Sequence, residues 1–209
     1  QGYHSPSLLR IFHKKIPMII PLKTRFLDLN EEEFYEFCGE VDDVRIERSS
    51  DGTILLRPLR GGIVSIFCAE VSTEVVIWNR DRRKGKAFGA NAGFTLPNKA
   101  VRSPDVAWIA LERWLALPKD DQERFAHISP DFVIEIRSET DDLDPLQTKM
   151  IEYQQNGVRL GWLIDPQEQQ VRIYRADGSI DHVENFNTPL SGEDVLEGFE
   201  MRLWELWEG

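Results

Sequence analysis

Cysteine is scarce in this chain. Its 209 residues include two, Cys38 and Cys68, too far apart to form a CxxC pair. That argues against a disulfide framework or a cysteine zinc site and for reduced, intracellular thiols. Histidine is equally thin, with His4, His13, His127 and His182 scattered. Neither a His-rich metal centre nor a His-based nuclease motif has support. Long apolar runs are missing from the N-terminal stretch LLRIFHKKIPMIIPL, which His13-Lys14-Lys15 and Pro17 interrupt. Neither half is long enough for a signal core with its cleavage site, or for a membrane span. The expectation is a cytoplasmic protein with no membrane partner, in which residues 1–25 are a poorly ordered extension and 26–209 a single domain. Positive charge is also in deficit, the formal net charge being -11. Gripping nucleic acid then requires a local basic patch, because neutralising phosphates supplies most of the affinity. NRDRRKGK, residues 79–86, is one candidate; a solvated helix end is the alternative.

What is present is an ordinary globular composition, 41% apolar and 29% charged. LNEEEFYEFCGE (29–40) predicts a short helix with Asn30 as N-cap, Glu33 completing a capping box and Gly39 as its stop. VRIERSSDGTILLRPL (44–59) alternates on both sides of Asp51-Gly52, a hairpin signal. From Ile63 to Arg83 apolar residues recur at helical spacing: Ile63, Ile66, Phe67, Val71, Val75 and Trp78. KAFGANAGFTLPN (86–98) reads as a strand or hairpin. VAWIA (106–110) and FVIEI (132–136) read as central strands covered on both faces, with a partly helical excursion between them. Residues 145–156 predict a helix with Asp144 as N-cap, Pro145 in first position, Gln147 in the capping box and Gly157 as the left-handed stop. RLGWLID, QVRIYRA and SIDHVEN follow as three strands. The order predicts an α/β (α+β) fold. A mixed sheet is flanked by helices, with an N-terminal helix plus hairpin and a C-terminal β-meander.

Ser-Pro-Asp occurs twice, in SPDVAWIA (103–110) and SPDFVIEIRS (129–138). Asp131 and Glu135 share a strand face but lie about 13 Å apart along it, so they cannot share one metal ion. Asp131, after Pro130, reads as turn chemistry. Glu135 stands among apolar neighbours, where a carboxylate needs a cation, a metal or an edge position facing water. Asp105 gains interest if its strand pairs with that of Glu135, since two carboxylates then converge. Two residues beyond Glu135, where acid-x-Lys would put an ammonium beside a metal, stands Arg137, which cannot act as a base. The nearest lysine is Lys149 on the following helix, facing either the sheet or solvent.

Several blocks in this order, RSPDVAWIALERW, PDFVIEIRS, KMIEYQQNG, RLGWLIDP and SGEDVLEGF, resemble the Uma2 family of endonucleases, also called DUF820. That family belongs to the PD-(D/E)XK restriction-endonuclease-like superfamily, and the resemblance runs from about Glu32 to the C-terminus. It implies a mixed sheet flanked by helices that binds Mg²⁺, or Mn²⁺ in its place, and hydrolyses DNA. Asp105 would be the aspartate of the PD element and Glu135 the acid of the second, with the Ile136 carbonyl a further ligand. Glu70 would be a third carboxylate on the first core helix. Lys149 falls on the family's helix lysine, and Arg137 would clamp phosphate. The sequence departs from the pattern in the short PLRGG segment and in Cys68, where the family suggests asparagine. Superfamily members often pair to cut both strands, which implies a homodimer. The C-terminal LWELW would supply apolar contact or fill the core. Two rival functions stay open: a nuclease-fold module that binds nucleic acid or protein without cleaving, and a hydrolase of small phosphorylated molecules.

Overall fold

The computed structural model describes residues 20–22, 29–41, 44–57 and 59–207. The expected extension, 1–25, falls mostly outside the described residues; inside it, β1 (Ile20–Leu22) forms a strand. Helix α1 (Glu31–Glu40) begins on the predicted box. The Asn30 side chain accepts the Glu33 N–H at 3.0 Å, and the Glu33 carboxylate accepts the Asn30 N–H at 2.8 Å. The helix runs through Gly39 and is capped at Val41, because a glycine in helical φ costs stability without ending a helix. The hairpin forms as β2 (Arg45–Arg48) and β3 (Ile54–Arg57), turning at Gly52 with φ +84.

Helix α2 (Gly62–Arg82) buries Phe67, Val71 and Val75, with Val64, Cys68 and Trp78 partly covered. Ile63 and Ile66 were expected on that stripe but are 72% and 65% exposed. The sheet takes the row Val64–Phe67–Val71–Val75–Trp78, and those two fall outside it. By length and composition α2 could cross a bilayer; here its buried row packs on the sheet. Left-handed Arg83 closes it. The glycine-punctuated segment then makes not a hairpin but two strands of different sheets, β4 (Gly85–Gly89) and β5 (Phe94–Thr95).

The chain continues through β6 (Val101–Arg102), β7 (Val106–Ala110), α3 (Leu111–Leu115), α4 (Lys119–Glu123) and β8 (Phe132–Ile136). Helix α5 (Leu143–Gln155) starts two residues earlier than predicted, with Asp142 at the N-cap position and Asp144 in the first turn. Proline at the third helical position is tolerated, since first-turn N–H groups have no intrahelical acceptor. Gly157, φ +95, ends it as expected. The meander follows as β9 (Leu160–Asp165), β10 (Gln170–Arg175) and β11 (Ile180–Val183). Then come β12 (Leu190–Ser191), β13 (Glu200–Met201) and α6 (Leu203–Trp207).

The main sheet has six strands in the order β11-β10-β9-β8-β7-β4. It is antiparallel except for β8–β9, which are parallel and joined through α5. One face packs Trp108, Phe132, Ile134 and Trp162 against α2 and α6; Leu203 and Trp207 of LWELW are in this core. The other face packs Val133 and Leu163 against Leu146, Met150 and Tyr153 of α5. A second sheet, β1-β3-β2-β6-β5, wraps Phe34, Ile46, Ile54 and Val101. The chain crosses from one sheet to the other at Ser103–Asp105, between β6 and β7, so Asp105 stands at the seam.

Candidate active site

β7 and β8 are neighbours, and the register Val106↔Ile134 places Asp105 opposite Glu135. The Asp105 N–H donates to the Ile134 carbonyl at 3.0 Å, while its Oδ2 accepts the Ile136 N–H at 2.8 Å. The same Oδ2 meets Arg60 Nη1 at 2.9 Å, and Oδ1 meets Arg45 Nη1 at 2.9 Å. Glu135 is fully buried. Its Oε1 receives Lys149 Nζ at 2.5 Å and the Tyr153 hydroxyl at 3.1 Å. Its Oε2 lies 3.7 Å from Arg57 Nη1 and, among the described residues, accepts no hydrogen bond.

Helical spacing turns Lys149 inward. Leu146, Lys149, Met150 and Tyr153 are the buried side of α5, and the ammonium emerges among carboxylates rather than in solvent. Its second partner is Glu47 of β2, at 2.7 Å. Glu47, also fully buried, accepts the Ser103 N–H at 3.0 Å and pairs with Arg102 at 3.4 Å and Arg57 at 3.5 Å. Arg102 in turn holds Glu152 at 2.5 Å. Arg45 and Arg57 are direct cross-strand partners on the hairpin. Like charges so placed repel, and the acids between the two sheets hold them there.

Burial pushes the Glu47 carboxyl up, but Arg57, Lys149 and Arg102 outweigh it and hold the group well below the usual carboxylate range. Asp105 is held down at about 2, burial being overcome by Arg60, Arg45 and the Ile136 N–H. Burial and then Arg57 pull Lys149 down, against the opposing pull of Glu135 and Glu47. An amine so placed gives up its proton more readily than an exposed lysine. Tyr153 is raised, by burial and then by Glu135, and stays a hydrogen-bond donor.

A cleft of about 590 Å³ opens onto this cluster, lined among others by Arg45, Arg57, Arg60, Cys68, Ser103 and Asp105. Glu135 and Lys149 lie behind the arginines. Two carboxylates on adjoining strands are hard oxygen donors suited to Mg²⁺ or Mn²⁺, which protein sites often hold by one or two carboxylates plus substrate phosphate. Oε2 of Glu135, without a hydrogen bond among the described residues, fits such an ion once Arg57, 3.7 Å away, withdraws; the Asp105 carboxylate would likewise have to give up a guanidinium. Among the described residues no group of three or more His, Cys, Asp or Glu side chains is placed to hold a metal.

The structure brings together Asp105, Glu135 and Lys149 but not Glu70 or Arg137. Glu70 is on the exposed side of α2. It follows Cys68 by two residues, about 200° around the helix, and Cys68 is the residue that meets Arg60, its Sγ accepting Nη1 at 3.1 Å. Arg137 is drawn to Asp165 at 2.7 Å and to the Asp141 carbonyl at 3.1 Å, beyond the end of β8. Asp131 locks the other end of that strand: its Oδ2 accepts the Ala110 N–H at 2.8 Å and its Oδ1 pairs with Arg113 at 2.7 Å. Sequence reasoning missed Glu47, Arg45, Arg57 and Arg60. For Glu47, Arg45 and Arg57 a signal was available, charged residues within the hairpin strands, but it reads equally as an ordinary solvated strand face; Arg60, in the connection after β3, carried none.

A family model, Uma2, described as "Putative restriction endonuclease", matches residues 31–204. A crystal structure described as "a putative nuclease belonging to DUF820 from Anabaena variabilis ATCC 29413" is similar to this chain with a TM-score of 0.70 and 20% identity. The similarity covers 85% of this chain and 96% of that one. At that identity the likeness speaks for the fold. No curated protein matches the chain.

Proposed function

The chain belongs to the Uma2 family, and from that premise we propose that it is a metal-dependent endonuclease hydrolysing DNA phosphodiester bonds where Asp105, Glu135 and Lys149 meet. The observation that carries this reading is the buried Oε2 of Glu135, without a hydrogen bond among the described residues, on the strand next to Asp105, with Lys149 against the same carboxylate. A divalent cation held by Asp105 and Glu135 would supply Lewis acidity and a more acidic water. The remaining steps belong to the chain itself. Arg45 and Arg60, at the wall of the cleft, bind the phosphate oxygens and offset their charge. Lys149, its proton loosened by burial and Arg57, accepts or shares the proton of the attacking water. Tyr153 and Glu47 fix the positions of Glu135 and Lys149.

The test is hydrolysis of DNA with Mg²⁺ or Mn²⁺ by the wild type and by an Asp105→Ala/Glu135→Ala double variant. The variant is expected to lose activity by at least about a hundredfold. Equal activity in the two proteins sinks the mechanism. A second reading, a nuclease-fold module that binds without cleaving, is favoured by one observation: both oxygens of Asp105 are already taken by guanidinium groups. Calorimetric Mn²⁺ binding that disappears in Glu135→Ala would exclude it.

A further inference from the structure

Arg60 occupies Oδ2 of Asp105, and both residues line the cleft. Its Nη1 lies 2.9 Å from Oδ2 and also donates to Cys68 Sγ at 3.1 Å. Its Nη2 is buried and, among the described residues, has no hydrogen-bond partner. The Nε of Arg57, also in the cleft wall, is by contrast ion-paired with Glu47 Oε2 at 3.5 Å. An unsatisfied buried donor is costly, so Arg60 Nη2 beside the cleft is a place for an anion oxygen. Arg60 lies in the connection between β3 and α2, outside either element, beside Leu59, which is 81% exposed.

We propose that Arg60 is an exchangeable cation: it neutralises Asp105 in the free protein and transfers to a tetrahedral oxyanion, the substrate phosphodiester, leaving Oδ2 open to a divalent cation. Turning from a carboxylate to a phosphate trades one anion for another, so the guanidinium is never left uncompensated. Asp105 keeps the Ile136 N–H and Arg45, which hold the carboxylate in place as Arg60 departs. Anion and metal therefore bind with positive coupling, and without the anion the protein's own arginine competes with the metal. Arg60 thus touches the substrate phosphate directly in this scheme. The inference rests on the metal-dependent reading above.

The experiment titrates Mn²⁺ into wild type, Arg60→Gln and Arg60→Lys by calorimetry, with and without saturating sulfate at matched ionic strength. Sulfate mimics the phosphate and leaves Mn²⁺ in solution. Sulfate is expected to tighten Mn²⁺ binding to the wild type by about tenfold, within the usual range of site-to-site coupling. Arg60→Gln is expected to bind Mn²⁺ about tenfold more tightly without sulfate and to gain little from it. Arg60→Lys should keep the wild-type pattern. By reciprocity Mn²⁺ must tighten sulfate binding to the wild type by the same factor, a measurement that needs no variant. Mn²⁺ affinity that is the same in wild type and Arg60→Gln, or indifferent to sulfate in the wild type, overturns the exchange alone. No Mn²⁺ binding in any of these conditions overturns the exchange and the metal-dependent reading together.

Discussion

Glu47 is the residue on which the buried cluster turns, since it touches Lys149, Arg57, Arg102 and the Ser103 N–H at once. Removing its charge while keeping its shape strands three cations in a dry seam. Glu47→Gln is therefore expected to lower the unfolding free energy at pH 7 by about 3 kcal/mol, read from urea denaturation. The pH dependence has a definite sign. A carboxyl held below its unfolded value contributes fully above about pH 4.3 and progressively less as pH falls toward its folded value. The stability gap between wild type and Glu47→Gln should thus narrow from pH 5 to about 3; a constant gap would mean that shape rather than charge sets it. At this scale the sequence was half legible. Spacing alone separated Asp131 from Glu135, and hydrogen bonding makes Asp131 a strand lock. Glu47 was hidden because alternation in a hairpin looks the same whether its polar face meets water or another sheet.

At the scale of elements, local chemistry was the readable part: the Asn30 capping box, the Asp51-Gly52 hairpin and the Gly157 stop are all decided within a few residues. What could not be read is decided by distant partners. β4 and β5 lie five residues apart yet join different sheets, and α2 chooses its buried row by what the sheet offers. Glu70 lies outside the site for that reason, since the two residues that separate it from Cys68 turn it about 200° around the helix. Gly85 shows how tightly the pairing of β4 with β7 is set. A Cβ there would lie 2.2 Å from the Ile109 carbonyl oxygen and 2.4 Å from the Trp108 ring. Gly85→Ala is expected to cost about 3 kcal/mol in thermal or urea unfolding. Gly89→Ala, at the other end of β4 with nothing within 4 Å, should cost far less. Equal losses would show that chain entropy rather than the close approach governs both positions.

Over the whole molecule, a net charge of -11 has to be reconciled with the polyanionic substrate proposed above. The folded chain concentrates Arg45, Arg57 and Arg60 in one cleft, where low dielectric walls strengthen each contact. The most basic sequence run is elsewhere: Arg82, Arg83 and Lys84 lie at the Ala110 end of β7, about 16 Å along the strand from the Asp105 end. If the cleft alone meets phosphate, about three contacts release counterions. The plot of log affinity against log salt should then have a slope of about -3 for duplex DNA, or about -2 for single strands. Fluorescence anisotropy of a labelled oligonucleotide in EDTA measures this without cleavage. Arg82→Gln with Arg83→Gln is expected to leave the slope unchanged, whereas Arg45→Gln should flatten it by about one. A slope near -6 that collapses in the Arg82/Arg83 variant would instead make the end of α2 the nucleic-acid surface. The cleft would then serve a ligand too small to reach both ends of the sheet.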